Sequence, residues 1–286
     1  MIIVKINGGL GNQMFQYAAC KALADLKSTS FKVDITKLND ENNHNGYELE
    51  RVFQISNSIA KSHEVKSILG VWRNNPLYKI RKKLNFLFSG RLYIEKSIDF
   101  DASFYDLCDN TYLDGYFQSQ NYFLKSLCSI RNNFKFRDGL DQENEEIANL
   151  IKIENSVSVH VRRGDYEGNN FYANCTNEYY LSAMEFISSK TRNPLFFIFS
   201  DDIKWAENNF RHRKDLKFVK NNCGLKSFND MHLMSLCRHH INANSSFSWW
   251  ASFLSEFDRG ITIAPKNWFR DKLLPHTIHM PNWILL

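Results

Sequence analysis

The chain has 286 residues, with 36 Lys and Arg against 31 Asp and Glu, for a net charge of +5. At ~150 residues per domain this length calls for two domains, each large enough for a real hydrophobic core. The mild charge, with basic runs only at 79–83 and 211–214, argues against a nucleic-acid binder, and no apolar run approaches the ~20 residues of a membrane span.

The first element is a strand at 2–6, followed by a glycine-rich turn at 7–11 and an apolar helix over about 13–27. The start carries no apolar leader with a cleavage site. The expectation is a cytoplasmic chain with at most a peripheral contact at the inner face of the membrane. A second strand follows at 30–35. The stretch 36–110 has no clean period; it holds Asn-rich turns at 39–46 and a basic patch of Lys79, Arg81, Lys82 and Lys83, and reads as short helices. A strand near 111–117 and a helix near 119–133 come next. The polar, acidic stretch 137–146 is the expected junction, dividing the chain into 1–145 and 146–286, with the last residues free to pack back on the first half.

Beyond the junction the pattern turns regular. Strand 156–162 leads to a helix at 177–190 with Thr176 as its N-cap. Strand 195–200 leads to a helix beginning near Asp202, and strand 216–219 to a helix at 227–238. Strand 240–243 leads to a helix from Ser245 or Ser246, and a last strand occupies 260–264. Short apolar runs alternating with helices specify a parallel, doubly wound sheet, so the fold class is α/β. The six cysteines show no CxxC pair and read as reduced thiols, several of them core fillers. Sequons at Asn174 and Asn244 would matter only in a secreted chain.

Four constellations sit where predicted strands end. Gly8-Gly9-Leu10-Gly11-Asn12-Gln13 lies between a strand and a helix, where glycines let a ligand approach the backbone and a helix N-terminus favours an anion. It is neither a dinucleotide fingerprint nor a P-loop; a glycine turn here can be simple strand-to-helix packing, but the polar pair Asn12-Gln13 just before an apolar helix favours a site. His160, Arg162 and Arg163 follow the β-branched run Val157, Val159 and Val161. Two guanidiniums at the carboxyl end of a buried strand suit a phosphate better than a solvated charge run does. Strand alternation sends the two arginines to opposite sides. Asp201 and Asp202 close the most apolar strand and read as a helix N-cap, as carboxylates for a base edge, or, less well because they are adjacent, as metal ligands. Ser245 and Ser246 open a helix and could hold phosphate or simply cap it; Trp249 and Trp250 read as core. No Ser-His-Asp order and no metal-spaced Cys/His set appears.

Together these pieces resemble the α-1,2-fucosyltransferases of glycosyltransferase family eleven. The matching stretches are 8–18, 160–166, 199–202, 244–250 and 265–269, in the family's order and over nearly the whole chain. The resemblance implies a GT-B-like enzyme: two Rossmann-like domains facing across a cleft, the C-terminal one binding GDP-β-L-fucose. It implies an inverting, metal-independent transfer to the 2-hydroxyl of a galactose-terminated glycan. Carried over by position, Arg162 and Arg163 face the diphosphate, and Asp201 or Asp202 with His160 reads guanine. Ser245 and Ser246 touch the β-phosphate, while Asn12 and Gln13 reach into the cleft from the N-terminal domain, Asn12 as a catalytic residue beside Arg162 and Gln13, with Gly9 and Gly11, as contacts to GDP-fucose. Asp165, with Glu167 as the alternative, is the expected general base. The competing readings are another nucleotide-sugar transferase on the same architecture, and a non-catalytic glycan or nucleic-acid binder.

Overall fold

The computed structural model describes residues 1–40, 45–56, 58–69, 91–164, 171–173, 175–257, 259–271 and 276–286. The chain divides into two compact units: Met1–Arg137 with Pro275–Ile278, and Asp138–Leu274 with His279–Leu286. The division falls at the start of the acidic stretch rather than at 145/146. The acidity there belongs to a helix start: Asp141 accepts the Asn144 N–H at 3.1 Å, and Glu143 and Glu145 occupy the first turn. Negative charge at a helix N-terminus is favourable, which is why the stretch is acidic.

The first unit is built on four parallel strands: β1 (Ile2–Lys5), β2 (Phe31–Asp34), β3 (Leu92–Ile94) and β4 (Tyr112–Asp114). Their order is β2-β1-β4-β3. The chain leaves β1 through α1 (Leu10–Leu26), which is apolar almost all round and correspondingly buried. Short helices α2 (Thr36–Asp40), α3 (Leu49–Val52) and α4 (Ser62–Leu69) follow β2, as the poor periodicity of that stretch suggests. The basic patch at 79–83 lies outside the described residues. The helix expected at 119–133 is instead two 3-10 turns, Gln120–Tyr122 and Leu124–Ser126, before α5 (Leu127–Asn133). Phe123 breaks the run, with φ −138°, because Tyr122 and Phe123 are both drawn fully into the core.

The second unit opens with α6 (Gln142–Ile153) and continues as β5 (Asn155–Val161), α7 (Asn177–Lys190), β6 (Pro194–Ser200), α8 (Ile203–Phe210), β7 (Leu216–Phe218), α9 (Phe228–Ser235), β8 (His239–Ile241), α10 (Ser246–Leu254), β9 (Thr262–Ala264) and β10 (Ile284–Leu285). All six strands are parallel, in the order β10-β9-β8-β5-β6-β7. The odd positions of β5 (Val157, Val159, Val161) enter a core with Tyr180, Ala183, Met184 and Ile187 of α7 and Ala206 and Phe210 of α8. The even position Ser158 bonds His240 of β8 at 2.8 Å. From β5 the chain winds outward to β6 and β7, then returns to β8 on the other side of β5. The carboxyl ends of β5 and β8 are therefore the topological switch point, where open α/β sheets bind ligands. Two Rossmann-like parallel units of this kind make the fold GT-B-like.

Candidate functional site

Register explains the centre of the second unit. β5 and β6 pair His160 with Phe199 and Val161 with Ser200. The next residues along, Arg162 and Asp201, are thus brought side by side as the strands end, and Arg162 Nη1 lies 3.2 Å from Asp201 Oδ2. Asp201 also accepts the backbone N–H groups of Arg163 at 2.9 Å and Gly164 at 3.1 Å. A Cβ on residue 164 would come within 2.9 Å of that carboxylate; glycine lets it close over the turn. Asp201 thus braces the arginine loop, while its side chain stays 25% exposed.

Arg163 has different surroundings, as alternation along the strand requires. Its guanidinium stacks over the Trp205 ring at 4.4 Å, a cation–π contact that fixes the plane of the fork. Asp202 caps α8 by accepting the Trp205 N–H at 3.0 Å, while its other oxygen lies 4.0 Å from Arg163 Nε. The capping reading of Asp202 therefore holds in the structure. His160, on the even row, lies with its ring 5.7 Å from that of Phe247 of α10. Burial, with the charge of Arg162 beside it, pushes its pKa down to about 3. It is a neutral imidazole whose buried Nδ1 has no hydrogen-bond partner among the described residues. A neutral imidazole both donates and accepts, which suits a hydrogen bond to an uncharged heterocycle.

Ser245 caps α10, accepting the Phe247 N–H at 3.3 Å, and Ser246 is the first helical residue. Just before them, the buried Asn244 donates to Ala173 O at 2.6 Å and Trp268 O at 2.8 Å. It ties the helix start to two loops, and its burial removes the sequon from use. Trp249 and Trp250 are fully buried core, as their reading anticipates. The N-terminus of α10 presents N–H groups at the switch point beside Arg162, a surface matched to an anion. Asp165, Glu167 and the sequon at Asn174 lie outside the described residues.

The first unit has its own switch point, between β1 and β4. Gly8 has φ +76°, the left-handed region open to glycine, and a Cβ there would strike Asn12 Nδ2 at 2.8 Å. Gly9 is the N-cap of α1, and Gly11 is buried within the helix. Gln13 is fully buried, and its amide is spent on the backbone: Nε2 donates to Gly8 O and Gly46 O, and Oε1 accepts from Glu48 N. Its part is to hold the glycine turn. Gln16 spans the two loops, accepting from Asn7 N at 3.0 Å and donating to Gly115 O at 3.2 Å. Asn12 Oδ1 accepts from Gln118 Nε2 at 2.8 Å.

Sequence reasoning passes over Glu95. Its oxygens accept the N–H groups of Tyr116 at 2.6 Å and Phe117 at 3.0 Å. Burial, reinforced by Asp114, pushes its pKa up. No local pattern marks it, because its partners follow the next strand, 21 and 22 residues further along the chain.

A family model described as glycosyl transferase family 11 matches residues 1–286. An alpha-1,2-colitosyltransferase of Escherichia coli is 35% identical over 94% of this chain and 92% of its own. The O-antigen biosynthesis glycosyltransferase WbnK of Escherichia coli is 31% identical over 98% of this chain and 99% of its own. The Mus musculus galactoside 2-alpha-L-fucosyltransferase Sec1 is 23% identical over 99% of this chain and 73% of its own. Among solved structures, the alpha-1,6-fucosyltransferase NodZ of Bradyrhizobium, soaked with GDP-fucose, has a like fold: TM-score 0.52 at 17% identity, over 88% of this chain and 92% of its own. Among the described residues, no helix is long and apolar enough to cross a membrane.

Proposed function

Because this chain belongs to glycosyl transferase family 11 over its whole length, we propose that it moves L-fucose from GDP-β-L-fucose to the 2-hydroxyl of a terminal galactoside, with inversion and without a metal. The observation that carries the reading is the β5/β8 switch point. There Arg162, oriented by Asp201, and the α10 N-terminus with Ser245 and Ser246 follow the carboxyl ends of two paired strands, where an anion would meet both. The galactoside 2-alpha-L-fucosyltransferase among its relatives supports the acceptor and linkage.

The chemistry needs that convergence. As the bond between fucose C1 and the β-phosphate oxygen breaks, positive charge develops on the sugar and negative charge on GDP. Arginine forks and helix N–H groups already aimed at the diphosphate hold the charge that develops there. His160, kept neutral, is assigned to the guanine edge with Asp202, and Arg163 to the outer face of the diphosphate. The acceptor oxygen attacks C1 from the opposite side and gives up its proton; Asp165 is assigned to take it, with Glu167 the alternative.

Incubation with GDP-fucose and a panel of β-galactosides, followed by linkage analysis, tests the proposal. An α-1,2-fucosyl product is expected; no product, or a different linkage, would overturn it. A second reading has a specific observation behind it, the identity to a colitosyltransferase. Colitose is fucose without its 3-hydroxyl, so the same phosphate contacts serve both sugars. Competition between the two GDP-sugars separates them, and thermal shifts with GDP against UDP test the base.

A further inference from the structure

Tyr116 stands in the loop that leaves β4 at the switch point of the first unit, and it is 47% exposed. Large aromatic side chains are usually drawn into cores, and this one has a buried neighbour. Phe117 is fully buried among Tyr93, Phe104 and Tyr122, with ring centroids 6.2, 5.7 and 5.2 Å away. To bury it, the backbone adopts φ +54° at Phe117, a conformation costly for a bulky residue. Such strain persists only where the surroundings over-determine it.

The surroundings here do. Glu95 grips the N–H groups on both sides of the Tyr116–Phe117 peptide step. Gly115 makes room for that grip, since a Cβ there would lie 2.5 Å from Glu95 Cβ. Gln16 holds Gly115 O from one side and Gln118 holds Asn12 from the other. These bonds hold the loop at Gly115, Tyr116, Phe117 and Gln118, with Tyr116 left half exposed. Two residues along the same loop, Gln118 donates to Asn12 Oδ1, and Asn12 Nδ2 makes no hydrogen bond among the described residues.

We propose that Tyr116 is the platform on which the acceptor galactoside rests, with Asn12 Nδ2 donating to one of its hydroxyls. Glu95 is a positioning residue that fixes the ring. The inference rests on the acceptor class proposed above. Galactose offers an apolar face made of its C3, C4 and C5 hydrogens, which an aromatic ring can cover. Its equatorial 2-hydroxyl then lies at the rim of the sugar, uncovered and open to reaction.

The test compares acceptor KM, kcat and the GDP dissociation constant in the unaltered protein, in Tyr116→Ala and in Tyr116→Trp. Loss of the ring should raise acceptor KM on the order of tenfold or more, with GDP affinity held and most of the KM recovered in Tyr116→Trp. An acceptor KM within twofold of the unaltered protein's in Tyr116→Ala overturns the platform. A parallel loss of GDP affinity also overturns it, since Tyr116 would then serve the fold at large. If the unaltered protein transfers to no galactoside, the functional reading fails first and the platform with it.

Discussion

Arg162 and Asp201 leave the ends of adjacent parallel strands and meet, with Nη1 and Oδ2 3.2 Å apart. Both side chains remain partly exposed, so the pair itself contributes little to stability. Its effect is directional: the carboxylate is anchored by two backbone N–H groups and in turn aims the guanidinium. Arg162→Ala should lower kcat ~10²–10³-fold, the usual cost of losing a donor aimed at developing charge. Asp201→Ala should cost less, and little more when added to Arg162→Ala, because it acts through that residue. Steady-state kinetics of both single variants and the double variant check this; additive losses would show that Asp201 has a separate task.

Transfer should survive EDTA. In the proposed site the charge on departing GDP is taken up by Arg162, Arg163 and the α10 N-terminus, so chelation removes nothing the reaction uses. Activity measured with excess EDTA should match the untreated enzyme. Complete loss, restored by Mn²⁺ or Mg²⁺, would return the weight to Asp201 and Asp202 as metal ligands.

Much of the second unit is legible in the sequence, because each element there carries its own boundary. Thr176 accepts from Tyr179 N at 3.3 Å, and the helix it caps runs over the residues its pattern predicts. Asp202 and Ser245 likewise mark helix starts. Elements without such marks are passed over. α6 buries only Asn144, Ala148 and Ile151, so its acidic first turn reads as a linker. β10 has two residues, too few for any period. For the site, the arginines and the serines are visible as residues, but their partners depend on strand register. Gln13 looks like a ligand contact and is a buried brace, and Glu95 looks like any surface carboxylate until β3 and β4 are side by side.

Asn244 should prove structural and functional at once. Its amide supplies the hydrogen bonds to Ala173 O and Trp268 O, and Ser245 follows it directly. In Asn244→Ala the Ala173 carbonyl loses this donor and the Trp268 carbonyl keeps the Ala173 N–H at 3.4 Å, at about 1–3 kcal/mol for a buried group left unsatisfied. The melting temperature should drop, and GDP should bind more weakly as the start of α10 loosens. Asn244→Asp should do no better, since a carboxylate would face carbonyl oxygens with nothing to donate. Thermal melts with and without GDP test both effects; a variant that melts lower yet binds GDP normally would confine Asn244 to folding.

Stability should fall in mild acid, and the buried carboxyl of Asp230 should resist the fall. Burial holds the pKa of His160 and of His240 down to about 3, helped by Arg162 and His239 respectively. In the unfolded chain each titrates near ~6.5. Between those values the unfolded state binds more protons, so stability is lost as pH drops below about 6.5. Asp230 has the opposite sign. Burial pushes its pKa up to about 7, against a hydrogen bond from Asn222 that lowers it. From about 7 down to the ordinary ~3.9 of an unfolded aspartate, the folded state therefore holds a proton that the unfolded state lacks. Burial also holds His232 down to about 4, so the histidines outweigh the raised carboxyls of Asp230 and Glu95, and the melting temperature should decline from pH 7 to pH 5. Asp230→Asn removes its opposing contribution and should decline more steeply over the same interval. Melting curves of the two proteins at half-unit steps decide it: parallel slopes would mean that Asp230 titrates alike in the folded and unfolded chains.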